Sequence, residues 1–385
     1  MLRRHETATG VTATPSEAIV RDFQDPYLEL LRLLREAAEI EHALMVQYPY
    51  AAFSVKPKYR RLRGNGFVGS DRDLTGVAIQ EMQHLNQVNR LLVELGATPC
   101  LIRQDFPDEP DIYPFPFELE RLSPPSLAKY TWAEAPADAL TADDAGSRSL
   151  LDRLRAVLGE DIRPNHLGSI YGTMIERLGE VAAHPSPRFP DLRHWVEILN
   201  EIKGEGEVAH FTFFRSVFLG THAAFPTGLD VWSLDPADSR YPSFAVPTNP
   251  TAIPTGDPTD PRRISNEGAR RKAWLGDLHY WTVLMLLDLS YRHDVSTSGL
   301  AVQHMTDALR VLGFDLAATG HGLAFDPLSM GYAPGVDRAG SLEVVRRLAA
   351  EAVVVAGRLG TEGLLPADYA VDLNQATVDE LAALS

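Results

Sequence analysis

The chain is predicted to be all-α: a four-helix bundle with long ordered connections and a C-terminal helical extension. Three observations predict it. Apolar residues recur at helical spacing over several stretches, and no stretch alternates with the period of a strand. Two Glu-x-x-His pairs, Glu81-Met-Gln-His84 and Glu207-Val-Ala-His210, lie in separate helical stretches. A carboxylate and an imidazole three residues apart project from one side of a helix. Two such helices, with one Glu from each of two others, make the ligand set of a dinuclear carboxylate bundle.

In chain order, residues 1–25 read as an N-terminal arm and 26–220 as the bundle. The first helix runs from about Pro26 to Val55, with Leu31, Leu34, Ala38, Leu44, Met45 and Tyr48 as its apolar stripe. A Gly-containing basic loop follows, with Lys56, Lys58, Arg60, Arg61 and Arg63. It could attract a carboxylate, although a solvated loop is its default reading. The second helix spans about Leu74 to Leu95 and stops at Gly96. Residues 105–140 are too punctuated by proline for a long helix and too aromatic for a linker, so an ordered excursion is expected there. After a short helix around Ser147–Leu158, the third bundle helix falls at about Pro164–Ala183 and the fourth at Asp191–Leu219.

Residues 221–265 form a Pro-rich connection, 266–360 hold C-terminal helices packed on the bundle, and 361–385 are a tail. Those later helices are expected near Asn266–Tyr291, Gly299–Leu312 and Gly340–Leu359. His279, near Trp281 and Asp277, is a candidate for lining a pocket among them. The tail segment DLNQATVDELA opens like a helix–hairpin–helix DNA motif but lacks its Gly-rich hairpin, so a short capped helix is the better reading.

Composition narrows the function. A net charge of −16 argues against nucleic acid or an anionic membrane as a partner. No apolar run approaches the roughly 20 residues of a membrane helix, and the basic start has no apolar segment behind it to make a signal peptide. The single cysteine, Cys100, excludes an internal disulfide framework and points to a reducing, cytoplasmic setting; it is expected to pack as a small hydrophobe.

Neighbours on the helix surface sort the candidate ligands. In Glu39-Ile-Glu41-His42, Glu41 is flanked by Leu34, Ala37, Ala38, Leu44, Met45 and Tyr48. Glu39 faces Arg32, Arg35 and Glu36. An acid on an apolar stripe must be paired or metal-bound, because an unpaired buried carboxylate is very costly. Glu41 is therefore the expected ligand and Glu39 the decoy. Glu81 and His84 share an apolar face with Val77 and Val88. Glu207 and His210 form the second pair, in a helix carrying Gly204 and Gly206. Each glycine costs about 1 kcal/mol relative to Ala, so a close approach or a local π-type distortion is expected there. Glu205 points elsewhere. On the third helix Glu176 is favoured and Glu180, one turn later, is the rival. Carboxylate-rich, His-poor ligation suits iron or manganese better than zinc or copper. Tyr48, two turns past Glu41, is a candidate catalytic phenol, with a plain core tyrosine as the alternative.

Four segments carry a resemblance: EIEHALMVQYPYAAFSV, QEMQHLNQVNRLLVELGATPCL, SIYGTMIERL and EGEVAHF. Together with the ERLSPPSLAKYTWAEAP stretch, they resemble the ferritin-like domain family related to the violacein-type imine-dimer (iminophenyl-pyruvate dimer) synthase. The likeness covers about Asp25 to Gly220. It implies a ferritin-like four-helix bundle, with the family's motif residues at Glu41, Glu81, His84, Glu207 and His210. Glu176 follows from the general ferritin-like pattern. Where the family usually shows Gly-x-Phe-Tyr, this chain has Gly168-Ser-Ile-Tyr171.

The expected function is that of an O2-dependent oxidoreductase in natural-product biosynthesis. It would use two iron ions, or manganese, with O2 as co-substrate, on a small amino-acid-derived molecule. A non-oxidative imine or enamine dimer synthase and an iron storage or detoxification protein are the alternatives, and a homodimer is left open.

Overall fold

The computed structural model of the chain describes residues 21–64, 69–106, 113, 115–140, 144–159, 167–184, 191–253, 256–327 and 335–384. Residues 1–20 of the expected arm lie outside the described residues. The fold is all-α. Among the described residues the only strand-like pairings are two isolated bridges, Val55 with Ser243 and Thr251 with Arg263. No described helix is long and apolar enough to cross a membrane.

By contact, the chain divides into two compact units, each drawn from several separate segments. The first comprises Met1–Ala37, Pro107–Phe117 and Pro124–Ala223; the second comprises Ala38–Phe106, Glu118–Ser123 and Ala224–Ser385.

The first unit opens with the start of α1 (Pro26–Ser54). Glu29, in its first turn, is buried and accepts the backbone N–H groups of Asp22 at 3.2 Å and Phe23 at 3.0 Å. Arg32 closes on the same carboxylate at 2.6 Å. An anion at a helix N-terminus is favourable, and this one also ties down the segment that leads into the helix. Helix α3 (Pro124–Ala133) starts on a Pro-Pro pair, whose missing N–H groups cost nothing in a first turn. It arises inside the segment expected to be an excursion. Asp144 caps α4 (Ala145–Leu158) by accepting the N–H groups of Gly146 at 2.6 Å and Ser147 at 3.1 Å.

Helix α5 (Leu167–Ala182) packs on the first part of α6, a continuous helical run over 193–218. That run consists of Arg193–Gly204, a π-helical turn over Glu205–His210, and Phe211–Phe218. The π turn is the distortion that the two glycines suggested. Its last segment packs on α3, with the Tyr130 and Phe214 rings 5.3 Å apart.

In the second unit, Asp73 caps α2 (Leu74–Glu94) by accepting the Gly76 N–H at 2.8 Å. A Cβ on Gly76 would sit 2.4 Å from Ser70 Oγ, so only glycine fits at this start. The helix ends where expected: Gly96 takes a φ of 82°, in the left-handed region. Asn89 accepts the Cys100 N–H at 2.6 Å and donates to Leu85 O at 3.0 Å, which ties down the turn beyond; Cys100 is buried. The basic loop is partly docked. Lys56 Nζ donates to Asp238 O at 3.0 Å and Tyr59 OH to Arg240 O at 2.5 Å.

Helix α7 (Glu267–His293) is buried along most of its length and packs on α9 (Arg338–Thr361) and on the helical run α8. That run over 298–318 has its own π turn at His304–Leu309. Helix α10 (Leu373–Ala383) packs on α9 and buries Leu373, Asn374, Thr377 and Leu381, so the expected tail is part of the core.

One hydrogen-bonded chain crosses these helices. Thr377 donates its only proton to Leu373 O at 2.8 Å, so it must accept from His304 Nε2 at 2.9 Å. His304 Nδ1 then accepts from His279 Nδ1 at 2.7 Å, and His279 Nε2 accepts from Tyr369 OH at 2.7 Å. Asn374 donates to the Tyr369 oxygen at 2.9 Å. Every direction follows from the donor inventory, and both imidazoles are neutral. Burial lowers His279 well below the ordinary range and His304 to about 4. His279, a minor candidate for a pocket, belongs to this network.

Candidate metal centre

The second unit brings together Glu41 of α1 with Glu81 and His84 of α2. His84 Nδ1 lies 3.1 Å from Glu81 Oε2 and 3.7 Å from Glu41 Oε2. All three are buried, at 0%, 0% and 3% exposure respectively, and their ligand-capable atoms lie within 4.8 Å of one another. Local sequence explains the convergence. Glu81 and His84 share a face of α2 by their i, i+3 spacing, and Glu41 occupies the apolar stripe of α1. Burial pushes the Glu41 carboxyl up to about 8; the nearby Glu81 pushes the same way and His84 opposes. Two carboxyl groups this close and this dry do not both ionise without a compensating charge.

The first unit holds a second pair. His210, at the end of the π turn, is fully buried, with Nδ1 3.7 Å from Glu134 Oε2. Glu134 is 1% exposed and directly follows α3, its N–H donating to Tyr130 O at 3.1 Å. A Cβ on Gly206 would come within 3.0 Å of Glu134 Oε2, so this glycine leaves room for the carboxylate. Nothing lies within 4 Å of a Cβ on Gly204, and the structure supplies no steric reason for that glycine. Glu134, Gly168, Tyr171, Lys203, Gly206 and Glu207 line a cavity of about 10 Å³, roughly the space of one water.

The remaining expected residues fall elsewhere. Glu176 is 70% exposed and pairs with Arg177 at 3.1 Å, so the structure keeps it out of the buried group. Its rival Glu180 is 40% exposed and pairs with Arg177 and, at 3.2 Å, with Arg21. Both sit beside the apolar stripe of α5, and the two arginines hold them at the surface. Glu207 lies 3.8 Å from Lys203, is 22% exposed, and lines the same small cavity as Glu134. Glu207 and His210, expected as one pair, both lie within the π turn. Burial, the largest influence, raises the Glu207 carboxyl, while Lys203 works the other way. Tyr48 is fully buried on α1. Glu39 is half-buried, and its partner in the decoy pair, His42, accepts from Tyr280 OH at 2.6 Å; Tyr280 in turn accepts from Arg103 Nε at 3.2 Å.

Sequence reasoning missed Glu134. The signal was present: Leu127, Tyr130 and Glu134 lie at i, i+3 and i+7, an acid on an apolar helical face, but a proline-rich segment was not read as a helix.

Residues 34–194 match the family model described as Ferritin-like. A dichlorochromopyrrolate synthase from Lentzea aerocolonigenes is 31% identical over 224 residues, which is 52% of this chain and 20% of the relative. The chain thus spans about a fifth of that relative's length. No solved structure matches. The matched region contains Glu41, Glu81, His84 and Glu134 and ends before His210.

Proposed function

We propose that the chain is a natural-product biosynthetic oxidoreductase that uses two iron ions and O2 on a small, amino-acid-derived substrate in the cytoplasm. Within one unit Glu41, Glu81 and His84 would hold one ion, and within the other Glu134 and His210 would hold a second. The observation that carries this reading is the buried trio of Glu41, Glu81 and His84. Two carboxyl groups, each within 4 Å of one imidazole in an apolar interior, are a costly arrangement for a purely structural core, and a cation relieves it. The donor set fits iron or manganese: carboxylate oxygens with one imidazole in each group. Bound iron would supply the redox chemistry with O2. The protein's own part is to exclude water and fix the donors. Ala38, Leu44, Val77, Val88 and Leu91 of the same unit are all buried on α1 and α2, an apolar setting that would keep the trio dry.

Tyr48 is the proposed catalytic phenol. Seven residues correspond to about 10 Å of helical rise, and side chains lean back toward the helix N-terminus, which brings its ring toward Glu41. The test is anaerobic reconstitution with Fe(II), followed by metal counting and the optical response to O2. Two irons per chain and a transient oxidised species are expected; a chain that retains no iron refutes the reading. A non-oxidative imine or enamine coupling is the second reading, favoured by the relative's being a synthase. Product formation under strict anaerobiosis would select it.

A further inference from the structure

One arginine of the second unit is held firmly yet has no counter-ion. Residues 56–64 carry Lys56, Lys58, Arg60, Arg61 and Arg63 and no acid, in a chain whose net charge is −16, and residues 65–70 add no charge. Arg63 ends the short helical turn Arg60–Arg63 and is half-buried. Its backbone carbonyl accepts from Thr75 Oγ1 at 2.6 Å, and its guanidinium carbon lies 4.2 Å from the centre of the Phe314 ring. Phe53 packs edge-on against Phe314 with ring centres 5.1 Å apart, a fit that Gly313 allows, since a Cβ there would collide with the Phe53 ring. The ring face holds the cation but is no substitute for an oxygen acceptor. Nε is sealed from solvent with no acceptor, and among the described residues no hydrogen bond or ion pair engages the rest of the guanidinium. A second guanidinium stands beside it. Arg310 and Phe314 are i, i+4 neighbours on α8, and Arg310 Nε donates to Thr306 O at 3.0 Å. Burial lowers Arg63 from its ordinary value, and Arg310 adds to that. An arginine stays charged in a protein, so Arg63 keeps a partly desolvated cation against a like charge. An oxyanion supplies what is missing.

We propose that Arg63, with Arg310 beside it, forms an anion-binding site for the carboxylate or phosphate group of a small molecule. Phe314 and Phe53 fix the guanidinium, and Thr75 fixes the backbone that carries it, so the donors are in place before the anion arrives. Binding forms an ion pair and charge-assisted hydrogen bonds; no proton or electron is transferred. Phe53 lies twelve residues past Glu41 on α1, roughly 18 Å of helical rise. An anion held at Arg63 is therefore remote from the trio, and the site stands independently of the metal-centre reading.

The test is isothermal titration of the full chain with sodium benzoate and, separately, with inorganic phosphate. A chelator is present throughout, so that no anion is counted on a bound metal ion. Wild type should saturate with one or both, and the one it takes assigns the anionic group. Losing a charge-assisted pair costs about ten- to a hundredfold in affinity, so Arg63→Met should weaken binding by that much. Arg63→Lys keeps the charge without the flat fork and should also bind more weakly than wild type. Arg61→Met, at an exposed neighbour, should stay within about twofold of wild type. A wild-type chain that saturates with neither anion overturns the proposal. So does wild-type affinity in either Arg63 variant. An equal loss in Arg61→Met overturns it too, since that would report only the field of a basic loop. Circular dichroism checks that each variant folds, and Arg63→Lys decides alone if Arg63→Met does not.

Discussion

Replacing Glu41 with Gln isolates the cost of keeping two carboxyl groups in a dry trio. Glu41 titrates at about 8 against an ordinary 4.5, mainly because it is buried. Below pH 4.5 the group is protonated in the folded and unfolded chains alike, and no penalty exists. As pH rises from there toward 8, the unfolded chain ionises while the folded chain resists, so stability is lost at about 1.4 kcal/mol per pH unit. Glu41 thus costs the metal-free protein up to about 5 kcal/mol by pH 8. Glu41→Gln keeps the shape and removes the titration. Urea unfolding of chelator-treated protein at pH 5 and pH 8 should show wild type losing about 2 to 4 kcal/mol more than the variant over that interval. Fe(II) at one hundred times its dissociation constant should return about 2.7 kcal/mol to wild type. Parallel pH profiles for the two proteins would refute the argument, because they would mean that burial of this acid is already compensated within the chain.

Three further outcomes are expected. Glu134→Ala should strip bound iron while Glu176→Ala leaves it in place, measured as metal per chain after gel filtration; equal retention would remove Glu134 from the site. Gly206→Ala should shift thermal stability by no more than about 1 kcal/mol, since Ala suits a helix better than Gly, yet displace Glu134 Oε2 and weaken metal binding roughly tenfold in a chelator competition. His304, held near 4 against an ordinary 6.5, stabilises the fold fully above pH 6.5 and loses that contribution as pH falls toward 4. The loss should approach about 3 kcal/mol, and His304→Gln should lack this slope in acid titrations followed by near-ultraviolet circular dichroism.

Much of the helical architecture was legible because helical periodicity is a local signal. Residues 26–55 and 74–95 were read to within a residue or so of α1 and α2, helped by the stop at Gly96. The Glu41, Glu81 and His84 grouping was legible for the same reason: each is a polar group where the helix otherwise presents Leu, Ala and Val. Glu134 was hidden by its setting, since prolines normally disqualify a helix, yet Pro124 and Pro125 stand in a first turn where they are tolerated. Glu176 was favoured on its separation from Glu207, a weaker guide than burial, and Arg177 and Glu180 hold it in a surface cluster. The π turn at Glu205–His210 was anticipated from its glycines. The assembly of each unit from separate segments depends on contacts far apart in sequence, which no local pattern encodes.

The chain of donors from Asn374 to Thr377 works as a key for helix register. Sliding α10 by one residue would move Asn374 off the phenol and Thr377 off the imidazole together, stranding polar groups in a dry interior. Apolar contacts such as Leu373 and Leu381 tolerate such slippage far better than this one-way relay does. The final helix can therefore seat in one position only, and the same specificity passes to α7, whose His279 sits at the middle of the lock.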